Sequence, residues 1–398
     1  MEIFKQFGKN VGNFFTLKKI AYGSIFIVLF IAFYIYHLGR LIPGNTRFES
    51  ANQLMINGHD KILQHISLAP IKFLEFLMLK IDQPNSTLLR LVSVFFIFIA
   101  LVAFYKVVFT WRDSNRMALI STFLLGISAY VLHIGHFASN ESIYLCVIPL
   151  LILVGIWLKT KKHLNLVLIA FPIIALLLYI PGVWFVLGCL AFFFRKRMKL
   201  IWKFSVKKYR YTGIALAIIL LIPMIYSIIL YPGQISEILG IDRLTNEGLM
   251  PVLTTIRDLP IQLFVSGIDH QPQNWLKGTP IIDVVSVVFI ILGIVAYKNS
   301  NHTLRVRLVI FFTILSILII GLSTNATIAL ILPVLYLLIG RGIAYTLQNW
   351  FAVFPYNPIA RGIGITLLMI PIALISYYNY QNFFHAWRQS PETIKVLK

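Results

Sequence analysis

Apolar runs long enough to cross a bilayer recur along the whole chain, and this recurrence constrains the fold more than any other feature. Most are about 18–23 residues, and roughly 20 helical residues cover a hydrocarbon core about 30 Å thick. They are expected at about 20–42, 88–110, 117–135, 143–159, 163–180, 182–195, 212–231, 281–297, 306–322, 325–341 and 361–378. The expected fold is therefore an all-α polytopic membrane protein with about eleven transmembrane helices, forming one integral membrane domain over residues 1–398. With 59% hydrophobic and 12% charged residues and a mean hydropathy of +0.83, a soluble domain is excluded.

The net charge of +21 would suggest nucleic acid in a soluble protein. Here it has a plainer source. About 23 of the 35 Lys and Arg fall in segments that alternation puts inside, which is the positive-inside bias. No nucleic-acid partner is implied; the bilayer is the partner. Lys5, Lys9, Lys18 and Lys19 precede the first run. That run is longer than a signal-peptide core and lacks a small-residue cleavage site, so it reads as a retained span. The expectation is a multi-pass plasma-membrane protein with a cytoplasmic N-terminus and an extracytoplasmic C-terminus. The segment 195–211 carries eight basic residues and no acid, which suits an anionic inner leaflet. Cys146 and Cys189 both lie in apolar runs and make no disulfide framework. The turn at Pro181-Gly182 predicts a helical hairpin.

About twelve of the 14 Asp and Glu fall on the face opposite the basic loops. Acids contribute little to orientation, so their one-sidedness calls for another cause, and acid–base chemistry on that face supplies one. Two long outer segments, 43–87 and 232–280, carry most of them. In the first, Lys61, Lys72, Lys80 and Pro70 argue against a span across 62–81. Two short amphipathic helices in the outer interface, joined near Ser67–Pro70, fit better.

Glu49, Asp60 and Glu141 are the candidate catalytic carboxylates. Glu49 and Glu141 flank spans, where desolvation can lift a carboxyl pKa towards a useful range. Arg243, Arg257, Lys277 and His270, in a second loop stiffened by Pro251, Pro260, Pro272 and Pro280, are candidates to hold a lipid phosphate; salt bridges to neighbouring acids are the plainer reading of the arginines. His65, Arg90 and His136 are candidates for acceptor contact or a structural role. His133 and His136 share a helix face, and packing against headgroups is the simpler account of that pair. The span interiors hold almost no ionisable groups, which counts against an ion-driven carrier.

Four stretches, in order, resemble the glycosyltransferase C superfamily, in its branch of protein-mannosyltransferase-like and aminoarabinose-transferase-like enzymes. They are Arg47-Phe48-Glu49-Ser50-Ala51, the helix opening His65-Ile66-Ser67-Leu68-Ala69-Pro70, the span start Arg90-Leu91-Val92-Ser93, and the loop His136-Phe137-Ala138-Ser139-Asn140-Glu141. The resemblance covers roughly residues 20–160, the half it marks as catalytic. Where the family often has Asp-Glu, this chain has Phe48-Glu49, and an Arg common near span four is absent. The resemblance implies an inverting transfer of a hexose or pentose from a polyprenyl-phosphate donor to an acceptor on the extracytoplasmic face. Glu49 would be the base, Arg257 and Lys277 the phosphate partners, and a divalent ion, Mg or Mn, a possible aid to the leaving phosphate. A lipid-linked glycan flippase, an O-antigen polymerase or ligase, and an inactive scaffold are the competing classes.

Overall fold

The computed structural model describes residues 17–36, 38, 59–81, 86–112, 115–159, 166–267, 275–276, 278–299, 303–391 and 393–394. Among them every regular element is helical. Helix α1 is Leu17–Phe30, extended by a wider turn over Ile31–Ile35. The first outer segment holds α2 (His59–Gln64) and α3 (Ala69–Ile81). Then come α4 (Ser86–Arg112), α5 (Asn115–Ile127), α6 (Ala129–His136) and α7 (Ser142–Lys159). They are followed by α8 (Val167–Leu177), α9 (Val183–Phe193), α10 (Arg195–Phe204) and α11 (Lys207–Leu230). The second outer segment holds α12 (Ile235–Leu239), α13 (Asp242–Asn246) and α14 (Leu249–Ile261). The chain continues through α15 (Val284–Lys298), α16 (Thr303–Leu322), α17 (Leu332–Val353) and α18 (Pro358–Gln381).

Each expected span overlaps a helix among the described residues. Among the described residues, four helices are long and apolar enough to cross a membrane: Thr87–Trp111, Lys207–Leu230, Leu304–Leu322 and Pro358–Trp387. A fifth is the pair α5 and α6, bent by 60°. The helices in the expected spans at 163–180 and 182–195 are only 11 residues each. At 1.5 Å per residue that is about 16 Å, half of a hydrocarbon core. They also differ from the expected hairpin, because α8 packs along α11. Pro181 with Gly182, at φ 81°, breaks the chain between α8 and α9, whereas α8 runs on past Pro172 to Leu177.

The core is built around α17. Its residues Leu332–Gly340 are all buried, as expected of a helix that is apolar all round and walled in by others. Its closest neighbour is α15, where backbones touch. A Cβ on Gly342 would lie 2.1 Å from the Phe289 carbonyl oxygen, and one on Gly293 would lie 2.2 Å from that of Leu338. Small residues at such crossings let helices approach without a hydrophobic driving force. Helices α11 and α18 are peripheral and turn most of their apolar surface outward.

The connecting segments gather into two ends. At one, Arg305 donates to the Trp111 carbonyl, Arg341 to Ala296, and the Arg210 guanidinium lies 4.3 Å from the Trp202 ring. Helix α10 belongs to this basic end. It carries Lys196, Lys199 and Lys203 beside exposed Met198, Trp202 and Phe204, a pattern suited to the membrane surface. At the other end lie Glu75, Glu141, Glu237, Asp242, Glu247, Asp258 and Asp283. Among the described residues the acids thus gather at the end opposite Arg210, Arg305 and Arg341, with Lys72, Arg243 and Arg257 among them. There, α3 buries Ile71, Phe76 and Leu79 against the bundle and exposes Phe73, Leu77 and Ile81 on its far side. A helix with apolar faces both inward and outward suits the bilayer interface.

Candidate functional site

The acidic end is organised by the break at Ser128. Its extended backbone (ψ 127°) separates α5 from α6 and swings α6 aside. Such a break exposes a helix N-terminus within the apolar layer, where an unpaired N–H is costly. Asn379 of α18 supplies the partner: its Oδ1 accepts from Ala129 N at 2.8 Å.

The redirected α6 aims Tyr130 at the following loop. The Tyr130 hydroxyl donates to Glu141 Oε2 at 2.7 Å. Burial pushes the Glu141 carboxyl above its usual pKa, and the Tyr130 hydrogen bond offsets part of that rise. The loop itself is pinned. Ser139 N donates to Ser93 Oγ at 3.1 Å, and Ser93 Oγ donates to Ser139 O at 3.2 Å. Two of the stretches quoted above, 90–93 and 136–141, therefore meet.

Helix spacing places His133 one turn beyond Tyr130. It is enclosed by Trp275, Phe383 and Trp387, with centroids 5.2, 4.8 and 4.5 Å away. His136 Nδ1 lies 2.8 Å from the Leu132 carbonyl, and its ring packs on Phe383 and Tyr34. The pair is thus buried among protein aromatics and does not face headgroups. Among the described residues no three His, Cys, Asp or Glu gather as a metal site, and these two histidines do not fit one.

The two outer segments lock together. Gln234 Oε1 accepts from Ile66 N at 3.0 Å, while Gln234 Nε2 donates to Leu63 O at 3.0 Å. Ser227 Oγ donates to the same carbonyl at 2.6 Å. Leu68, held at φ 60° and buried, donates its N–H to Tyr179 O at 2.8 Å. These bonds set Lys72 facing Glu237 and Glu75. Burial lowers the Lys72 pKa, and the two carboxylates act against that shift. Its ammonium donates to His65 O at 2.8 Å.

The second segment clasps the turn before α17. Asp242 Oδ2 accepts from both the N–H and the hydroxyl of Thr324, and Asn325 Nδ2 donates to Glu237 Oε1 at 3.1 Å. Asp242, Glu237 and Glu141 all come within electrostatic reach of the buried Tyr144 hydroxyl. Carboxylates from two separate segments, the loop before α7 and the second outer segment, thus converge on Tyr144 near the start of α7.

The expected phosphate-binding cations divide. Arg243 Nη1 faces Ile320 O at 2.8 Å, Gly321 O at 2.9 Å and Thr255 Oγ1 at 3.1 Å, and Nε pairs with Glu247 at 3.8 Å. It closes the end of α16. Arg257 is 72% exposed and pairs with Asp258 at 2.8 Å, which raises its pKa. Both arginines make the salt bridges that their neighbours suggested. Arg90 is buried near the start of α4, and His65 is exposed. Glu49, Lys277 and His270 lie outside the described residues, as does the side chain of Asp60, whose backbone is in α2. Sequence reasoning gave no role to Tyr130, Tyr144 or Gln234. The spacing Tyr130-x-x-His133 was the available signal for the first.

No model of a known protein family matches the chain, and no curated protein matches it.

Proposed function

We propose that the chain is a membrane glycosyltransferase that moves a sugar from a polyprenyl-phosphate donor to an acceptor on the extracytoplasmic face. The observation that carries this reading is the Tyr130–Glu141 pair: a carboxyl lifted by burial, at the end of the bundle where the acids collect. The resemblance over residues 20–160 to the glycosyltransferase C superfamily supports it. In this reading there are eleven spans, the N-terminus is cytoplasmic, and the acidic end is extracytoplasmic.

In the reaction, the acceptor hydroxyl oxygen attacks the anomeric carbon with inversion. Glu49 takes its proton, and the bond from that carbon to the phosphate oxygen breaks with its electron pair going to the lipid phosphate. Glu141, and Asp60 on the first outer segment, are the further acid–base candidates. Arg257 and Lys277, with His270, receive the developing phosphate charge. A magnesium or manganese ion, when bound, would help to neutralise the leaving phosphate. The interfacial face of α3 suits a donor whose tail stays in the bilayer.

Incubation of the purified protein with polyprenyl-phosphate sugars and a panel of acceptors tests the proposal. Release of lipid phosphate that is lost in Glu49→Gln and slowed in Glu141→Gln supports it. Folded variants that release as much as the parent overturn it. A lipid-linked glycan flippase is the second reading, favoured by the break between α5 and α6, since broken helices line the sites of many transporters. Transport that survives both substitutions would select it.

A further inference from the structure

A second site lies at the basic end, away from the acids. Helices α1, α4 and α5 diverge there and leave a cleft of about 410 Å³. That falls within the range of about 300–1,000 Å³ typical of ligand pockets. Its walls are mainly apolar, with Phe26 on α1 and Phe98 and Val102 on α4. Its polar lining comes from Lys106 on α4, Asn115 on α5 and Tyr105, whose hydroxyl donates to Asn115 Oδ1 at 3.1 Å. The Lys106 ammonium lies 6.0 Å from the Tyr105 ring. Arg116 lies in the first turn of α5.

A mainly apolar slot with Lys106 in its lining matches an acyl chain attached to an anionic headgroup. Basic pockets between membrane helices on the cytoplasmic side are known to hold such headgroups. We infer that this cleft binds one anionic phospholipid from the leaflet at the basic end, its tail between Phe26 and Phe98 and its phosphate at Lys106. The lipid would fill the space between α1 and the rest of the bundle, and so fix the helix that leads into the first outer segment.

Gly23 offers a direct test. It lines the cleft, and a Cβ added there meets nothing within 4 Å, so the side chain of Gly23→Leu starts into open space in the slot. Gly188 on α9 is equally open but lines no part of this cleft, which makes Gly188→Leu the matched control. The full chain is delipidated in detergent and titrated with phosphatidylglycerol or with phosphatidylcholine of the same acyl chains, and bound lipid is counted by native mass spectrometry. The parent is expected to retain phosphatidylglycerol about five-fold better, the effect of one lysine near an anionic lipid. Lys106→Gln should abolish that preference while still binding both lipids. Gly23→Leu should reduce the binding of both, and Gly188→Leu should match the parent. The inference is overturned if the parent binds the two lipids equally, if it binds neither, or if Lys106→Gln keeps the preference.

Discussion

Tyr130 donates its phenolic proton to Glu141 across 2.7 Å, although the two residues stand on either side of a helix end. The bond ties a bent helix to the loop that carries the acid, so the state of that carboxyl follows the position of α6. Because burial raises the folded pKa of Glu141, the proton is held more tightly in the folded chain than in the unfolded one. Its share of stability is therefore complete below the ordinary value of 4.5 and is lost as pH rises through the raised value. Glu141→Gln keeps an acceptor for Tyr130 but carries no charge. We expect it to be more stable than the parent above that window and similar below it, as read by thermal unfolding against pH. In the proposed reaction it should slow turnover by about 10²-fold or more. Equal pH dependence in the two proteins would contradict the assignment.

Gln234 links the two outer segments through both polar atoms of its side chain. Gln234→Ala leaves Ile66 N without its acceptor and removes one donor to Leu63 O. Unmaking such buried bonds costs about 1–3 kcal/mol. The expected readout is a lower unfolding midpoint together with faster proteolysis within residues 59–81. Retention of parental protease resistance would show that other contacts hold the segment.

Arg243 and Arg257 should behave differently. Arg243→Ala uncaps the end of α16 and should destabilise by about 1–3 kcal/mol. Arg243→Lys should recover only part of this, because an ammonium lacks the planar fork that reaches both the backbone carbonyls and Glu247. Arg257→Ala, on an exposed pair, should leave the unfolding midpoint close to that of the parent. It should instead raise KM for the lipid-linked donor. A donor KM that is unchanged in Arg257→Ala would remove that arginine from the phosphate site.

Gly342→Ala drives a methyl group into the Phe289 carbonyl. Overpacking of this kind costs about 1–3 kcal/mol. Gly362→Ala, on α18, meets nothing within 4 Å and should be neutral or slightly stabilising. Thermal midpoints measured in one detergent compare them, and equal losses would place the α15–α17 contact elsewhere.

The helices were legible because apolar length and basic loops are local properties. The two short helices of the first outer segment were legible from Pro70 and its lysines. The shortness of α8 and α9 was not, because a run of apolar residues records hydropathy and not where the helices within it begin and end. The burial of His133 was hidden for a different reason: Trp275, Phe383 and Trp387 come from distant parts of the chain, and no spacing rule links them to residue 133. Glu141 was readable as an acid beside a span. Its partner Tyr130 was not, because the bend at Ser128 that aims it depends on Asn379, about 250 positions later.

That dependence reaches into biosynthesis. Until α18 has been made and has docked, the amide of Ala129 has no Asn379 to accept its proton, and the kink between α5 and α6 stays unsealed. Helix α6, with Tyr130 and both histidines, can take its mature position only after synthesis has passed residue 379.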